Sequence, residues 1–130
     1  MDIGLDLREH GGADAFLRNC PARMVLNLVA DKWTLLAIAA LEAGTLRYGE
    51  LHRRLDGISP KMLSQTLRSL ERHGLLVRTQ HMTIPPKVEY RLTPLGESLR
   101  TPLAQLKAWT EAHTPEITQA MAAFDACSTD

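Results

Sequence analysis

The sequence predicts a mainly helical domain with one small β-hairpin, and three observations carry that prediction. Ser59-Pro60 and Thr93-Pro94 each pair an N-cap with a proline at the first helical position, where its missing N–H is not needed. Apolar residues then recur at helical spacing: Leu63, Leu67 and Leu70 after the first pair, Leu95, Leu99, Leu103, Leu106 and Trp109 after the second. Between them the pattern changes to two extended runs, Leu76 to His81 and Val88 to Leu92, joined by a loop with Pro85-Pro86-Lys87 that stiffens the hairpin tip.

The remaining elements follow in chain order. Residues 1–19 have weak periodicity and a Gly11-Gly12 pair, and read as a flexible N-terminal arm. Pro21 opens a helix whose stripe is Met24, Val25 and Leu28. Asp31 caps a second helix, Lys32 to about Ala43, with Trp33, Leu36, Ala37, Ala40 and Leu41 on one face and Gly44 behind it. Leu46-Arg47-Tyr48 is a short extended piece. Glu50 to Leu55 is a short helix with Leu51 and Leu55 inward, and Asp56-Gly57 is a turn. The Ser59-Pro60 helix stops at Gly74. The helix begun at Thr93-Pro94 carries a bend at Pro102 and ends near His113-Thr114-Pro115. A last helix, about Glu116 to Ala126, carries Ile117, Ala120, Met121 and Phe124. The organisation expected is therefore an arm (1–19), a central domain (20–113) and a C-terminal helix and tail (114–130).

Size and composition narrow the class. The chain has 130 residues, enough for one domain with extensions, and 45% hydrophobic with 23% charged residues is an ordinary globular balance. No apolar run reaches the ~18 residues of a membrane span, and the start Met1-Asp2-Ile3-Gly4 lacks the basic and apolar regions of a secretory signal. Cys20 and Cys127 are too few for a disulfide scaffold and lack metal-ligand spacing, so a reduced, cytoplasmic protein is expected. No cofactor or metal is expected, because the five histidines show no ligand spacing. No nucleophile elbow, phosphate loop or dinucleotide fingerprint is visible, and the chain does not read as an enzyme.

The formal net charge of zero conceals a segregation. Residues 47–91 hold nine basic side chains against four acidic, a net of +5, whereas residues 1–46 and 92–130 are net acidic. A basic middle between acidic ends suits a polyanion-binding face. Short helix, turn, polar-faced helix, then hairpin is the order of a winged helix-turn-helix. On the Ser59-Pro60 helix Lys61, Ser64, Gln65 and Arg68 project one way while the leucines hold the helix to the body. Gln65 is suited to adenine and Arg68 to guanine in the major groove. Ser59 and the first-turn N–H groups next to Pro60 suit a phosphate. Lys87 is expected at the hairpin tip, against backbone or minor groove. The alternative is a winged helix that docks an acidic protein partner through the same basic face.

Several ordered motifs also resemble one family: Cys20-Pro21, Asp31-Lys32-Trp33-Thr34-Leu35-Leu36, Arg47-Tyr48-Gly49-Glu50-Leu51, Gly57-Ile58-Ser59-Pro60-Lys61-Met62-Leu63-Ser64, Leu70-Glu71-Arg72-His73-Gly74-Leu75 and Pro85-Pro86-Lys87-Val88-Glu89-Tyr90-Arg91-Leu92-Thr93-Pro94-Leu95-Gly96. Over about Cys20 to Trp109 the chain resembles the HxlR family of bacterial winged helix-turn-helix transcription regulators. The resemblance implies a homodimer on a pseudo-palindromic operator of double-stranded DNA, with the first and last helices as the dimer interface. The residues agree, because the C-terminal helices hold more apolar positions than a small core can use. Leu106, Trp109, Ile117, Met121 and Phe124, with Met24 and Leu28, are the candidate self-complementary patch. Repression is the expected mode.

Cys20 is the candidate sensor. It stands at a helix start near Arg18 and Arg23, surroundings that favour a thiolate, and some members of the family use the matching cysteine to sense oxidants or electrophiles. The bland reading is a small packing thiol. Cys127, in the acidic tail, reads as incidental, although it is the one cysteine within the chain available to pair with Cys20. A second route is a small-molecule effector in the cleft beside Trp33, Trp109 or Met24.

Overall fold

The computed structural model describes residues 13–127; the first twelve residues of the expected arm, and Ser128 to Asp130, lie outside them. The described chain is mainly helical with a three-stranded antiparallel sheet. In order it forms α1 (Pro21–Val29), α2 (Lys32–Ala40) with a 3-10 turn at Leu41–Ala43, β1 (Leu46–Arg47), α3 (Tyr48–Arg54), α4 (Pro60–Arg72), β2 (Leu76–His81), β3 (Lys87–Leu92), α5 (Pro94–Glu97) and α6 (Arg100–Cys127).

The caps lie where the side chains direct them. Asp31 accepts the Thr34 N–H at 3.0 Å, Ser59 that of Met62 at 3.0 Å and Thr93 that of Gly96 at 3.0 Å, each satisfying a donor that a helix start leaves orphaned. At the far end of α4, Gly74 has φ +76°. Leu75 N–H reaches Leu70 C=O at 2.9 Å and Gly74 N–H reaches Glu71 C=O at 3.0 Å, the paired bonds of a Schellman ending that a left-handed glycine allows.

The core is a cluster of aliphatic side chains, with Ile38, Leu51, Leu63, Leu67 and Leu70 fully buried and Leu41, Leu55, Ile58, Leu75, Leu76, Tyr90, Leu92 and Leu103 around them. At about 1.5–3 kcal/mol per buried side chain, this cluster is the main term holding α4 against α2 and the sheet. The face α2 buries differs from the expected one. Thr34, Ala37, Ile38 and Leu41 are inside, whereas Trp33, Leu36 and Ala40 are half-buried. An almost uniformly apolar helix, contacted by α1, α3, α4 and α6, has no strong periodicity to mark its inner face.

The hairpin is joined by β1, which pairs with β3 through Leu46 opposite Tyr90 and Arg47 opposite Glu89. β3 is therefore central, with β2 on its other side from Leu76 opposite Leu92 to His81 opposite Lys87. Tyr48 opens α3 rather than extending β1, because Glu50 Oε1 accepts the Arg47 N–H at 2.9 Å and starts the helix two residues early.

The C-terminal region also departs from expectation. The helix begun at Pro94 lasts four residues, and Ser98 closes it with N–H bonds to Pro94 and Leu95 carbonyls at 3.1 and 3.2 Å. A new helix then runs unbroken for 28 residues through Pro115, and no separate last helix forms. Pro102 falls in the first turn of α6, where its missing N–H is not needed, so it marks a start rather than a bend. Pro115 removes one N–H bond within an exposed stretch where water can serve the freed carbonyl, and the Thr114 and Thr118 hydroxyls bond backbone carbonyls of Thr110 and Pro115 around it.

One close approach fastens the end of α4 to α5. Thr93 Oγ1 donates to Gly74 C=O at 2.6 Å and Thr93 N–H to Leu75 C=O at 3.1 Å. A Cβ on Gly96 would lie 2.0 Å from the Leu75 carbonyl oxygen. Gly96→Ala is therefore expected to destabilise the fold by about 1–3 kcal/mol, read as a lower urea midpoint. An unchanged midpoint would show that α5 moves aside freely.

Candidate nucleic-acid interface

Helix α4 presents two faces. Leu63, Thr66, Leu67 and Leu70 are buried, and Lys61, Ser64, Gln65 and Arg68 are exposed along the opposite side. The 3.6-residue repeat makes one face the condition of the other, since fixing the leucines fixes the direction of the polar stripe. Ser59 and Pro60 are exposed at the helix start. The Ser59 oxygen already caps Met62 N–H, so the hydroxyl hydrogen and the Lys61 N–H remain as donors there.

Tyr48 was not singled out by its chemistry in the sequence, although it lies inside one of the family-like motifs. Its hydroxyl donates to Pro60 C=O at 3.1 Å and lies 3.3 Å from Ser64 Oγ. It therefore ties the first residue of α3 to the first turn of α4, and its ring stacks on His52 at 6.5 Å between centroids. A tyrosine opening one helix twelve residues before the next gives no periodic signal, because the contact exists only once the turn has folded.

Lys87 sits differently from expectation. It is the first residue of β3, half-buried, and pairs with His81 rather than standing at the tip. Its Nζ lies 3.8 Å from Glu89 Oε1, which is also 2.5 Å from His81 Nε2. The tip proper is 82–86, where Met82 and Ile84 are exposed. The exposed cations of the hairpin strands β2 and β3 are Arg78 and Arg91, and Arg47 is exposed on β1.

Cys20 is the N-cap of α1, half-buried, with its Sγ accepting the Asp14 N–H at 3.2 Å. Arg23 does not face it as an unengaged cation; its guanidinium donates to Ala15 and Phe16 carbonyls at 2.9 and 2.7 Å and so ties residues 14–20 to α1. Arg18 is exposed. Cys127 ends α6 and is exposed.

α1 buries none of its residues within the chain: Met24 is exposed and Leu28 half-buried. Leu106, Trp109, Ile117, Met121 and Phe124 are all exposed on α6. A cavity of about 190 Å³ between α2, α3 and α6 is floored by Ile38, Ala39, Leu103, Ala104 and Ala108 and rimmed by Glu42, Arg54, Arg100, Lys107 and Glu111. Trp33, which packs toward the core, and Trp109 and Met24, which face outward, do not line it. Among the described residues no three His, Cys, Asp or Glu side chains gather as a metal site, and no single helix is long and apolar enough to cross a membrane.

A short helix, a glycine turn, a two-faced helix and a three-stranded sheet with a projecting hairpin define a winged helix-turn-helix protein. Residues 28–118 match the HxlR-like helix-turn-helix family, and the chain belongs to it. It is 44% identical over 102 residues to the HTH-type transcriptional regulator YtfH of Escherichia coli K12, covering 78% of this chain and 81% of that protein. The solved transcriptional regulator ytfH from Salmonella typhimurium superposes with a TM-score of 0.80 at 40% identity, over 85% of this chain and 98% of that one. The redox regulator HypR in its oxidized form superposes with a TM-score of 0.67 at 34% identity, over 72% and 96%. The protein is thus a helix-turn-helix transcriptional regulator.

Tyr48→Phe removes the link between α3 and the first turn of α4 while keeping the ring. It is expected to leave the circular dichroism spectrum unchanged and weaken duplex binding by about 0.5–1.5 kcal/mol in fluorescence anisotropy. Unaltered binding would make the contact dispensable.

Proposed function

We propose that the protein works as a homodimer on a pseudo-palindromic operator, with one α4 in each of two major-groove half-sites about 34–36 Å apart, and that it represses by occupying promoter DNA. The observation that carries this is the exposed stripe Lys61, Ser64, Gln65 and Arg68 standing directly over the buried leucines of α4. Arg68 and Gln65 have the donor and acceptor sets that distinguish guanine and adenine edges. Lys61, Ser64 and the Ser59-Pro60 start hold phosphates and set register. Lys87 reaches the backbone beside the wing, with its charge shared with Glu89.

Support for the homodimer comes from the apolar side chains of α1 and α6. Met24, Leu106, Trp109, Ile117, Met121 and Phe124 are exposed on their own chain while Leu28, half-buried against the core, borders them, and large apolar side chains left open to this extent suit an association site. The effector we propose is an oxidant or electrophile acting at Cys20. The likeness to HypR supports it, as does the placement of Cys20 at the start of α1, where an added group or a bond to the partner's thiol would shift a dimer helix. With diamide, two thiols would give up two electrons and two protons to the diazene and form one disulfide across the dimer.

Arg68→Ala is expected to cost about 1–3 kcal/mol at the operator and to relax specificity at one base position. Equal affinity for the operator would remove α4 from the recognition role. Diamide is expected to change operator binding of the native protein and to leave the Cys20→Ser variant unaffected, as read by gel shift. If both respond alike, Cys20 is a packing residue.

A further inference from the structure

We infer that the hairpin tip is an apolar wedge for the minor groove, in which Met82 and Ile84 enter at a base step next to the major-groove site of α4 and bend the operator. The inference rests on the DNA-binding reading above and adds a second, uncharged mode of recognition to it.

Met82 is 93% exposed and Ile84 101%, more than any other large apolar residue among those described. Nothing lets them fold back. The last paired residues are His81 and Lys87, and Glu89 holds both from below. Thr83 Oγ1 donates to Pro85 C=O at 2.8 Å within the tip, and two consecutive prolines restrict its backbone. The two side chains are therefore presented by a braced loop, so little freedom is lost when they insert.

Their surroundings indicate the occupant. The tip rises from strands whose exposed cations are Arg78 and Arg91, and β2 packs on α4, so the wedge and the polar stripe belong to one rigid unit. The apolar surface proposed for dimerisation lies on α1 and α6, which pack on α2 instead. An apolar point in a basic setting suits a duplex, whose phosphates meet the cations while its stacked bases offer an apolar slot. Two strands stand about 5 Å apart between backbones, and with side chains they exceed a minor groove about 6 Å wide. Entry must then widen the groove and unstack a step, kinking the duplex toward the major groove. Pyrimidine–purine steps deform most readily, so selectivity for such a step is expected at a position no polar side chain reads.

The test uses the full chain and an operator selected by the native protein from a random duplex pool. Bending is measured by energy transfer between the labelled ends of that duplex, and affinity is measured across a salt series. The native complex should be bent. The double variant Met82→Ser/Ile84→Ser should lose most of the bend and bind about tenfold or more weakly, with the same salt slope, since no phosphate contact is removed. Ile84→Arg should also lose the bend but steepen the slope. A straight native complex, or a double variant that bends DNA as the native protein does, overturns the wedge while leaving α4 as the reader. A native protein that selects no duplex overturns both readings.

Discussion

The burial of Leu63, Leu67 and Leu70 in the aliphatic cluster is the interaction on which the rest depends. These three side chains anchor α4 against α2 and β2 and set its rotation, and the polar stripe then faces outward as a geometric consequence. Each neighbouring device preserves that orientation. Tyr48 holds the first turn, the Schellman ending at Gly74 closes the last, and Thr93 with Gly96 locks that ending to α5. The regulator's outward chemistry is thus set by apolar packing on its hidden side.

A second constraint follows from surface that the chain leaves uncovered. No residue of α1 is fully buried, and α6 beyond Leu103 is almost wholly exposed despite its apolar residues. Such helices are stable when a second copy covers them, and this couples the proposed dimer to the spacing of the two α4 helices. A shift at the start of α1, where Cys20 sits, would then change half-site spacing without touching the DNA-facing residues.

Much of this was legible in the residues. Ser59-Pro60, Thr93-Pro94 and Gly74 encode their boundaries locally, through caps and a left-handed backbone, and the regular leucine spacing of α4 identified both its faces. The misread features depend on tertiary context. Pro102 and Pro115 look alike as breakers, yet one is absorbed by a first turn and the other by an exposed mid-helix stretch. The short extended piece at Leu46-Arg47 is legible, but its pairing beside β3 is not. The loop residues give no sign of the register that sets Lys87 opposite His81, one step inside the tip. The Tyr48 hydroxyl contact and the bare tip at Met82 and Ile84 are likewise matters of folding, not of periodicity.

The most direct measurement is the affinity of the native protein for a selected operator and for a scrambled duplex of equal length, each across a salt series. Two protomers, each placing Lys61 and Lys87 on phosphates, should give a slope of log K against log salt of about −3.6 or steeper, with the operator preferred by at least about 10³. Flat salt dependence with equal binding to both duplexes would contradict the account and leave the basic face as a surface for an acidic protein.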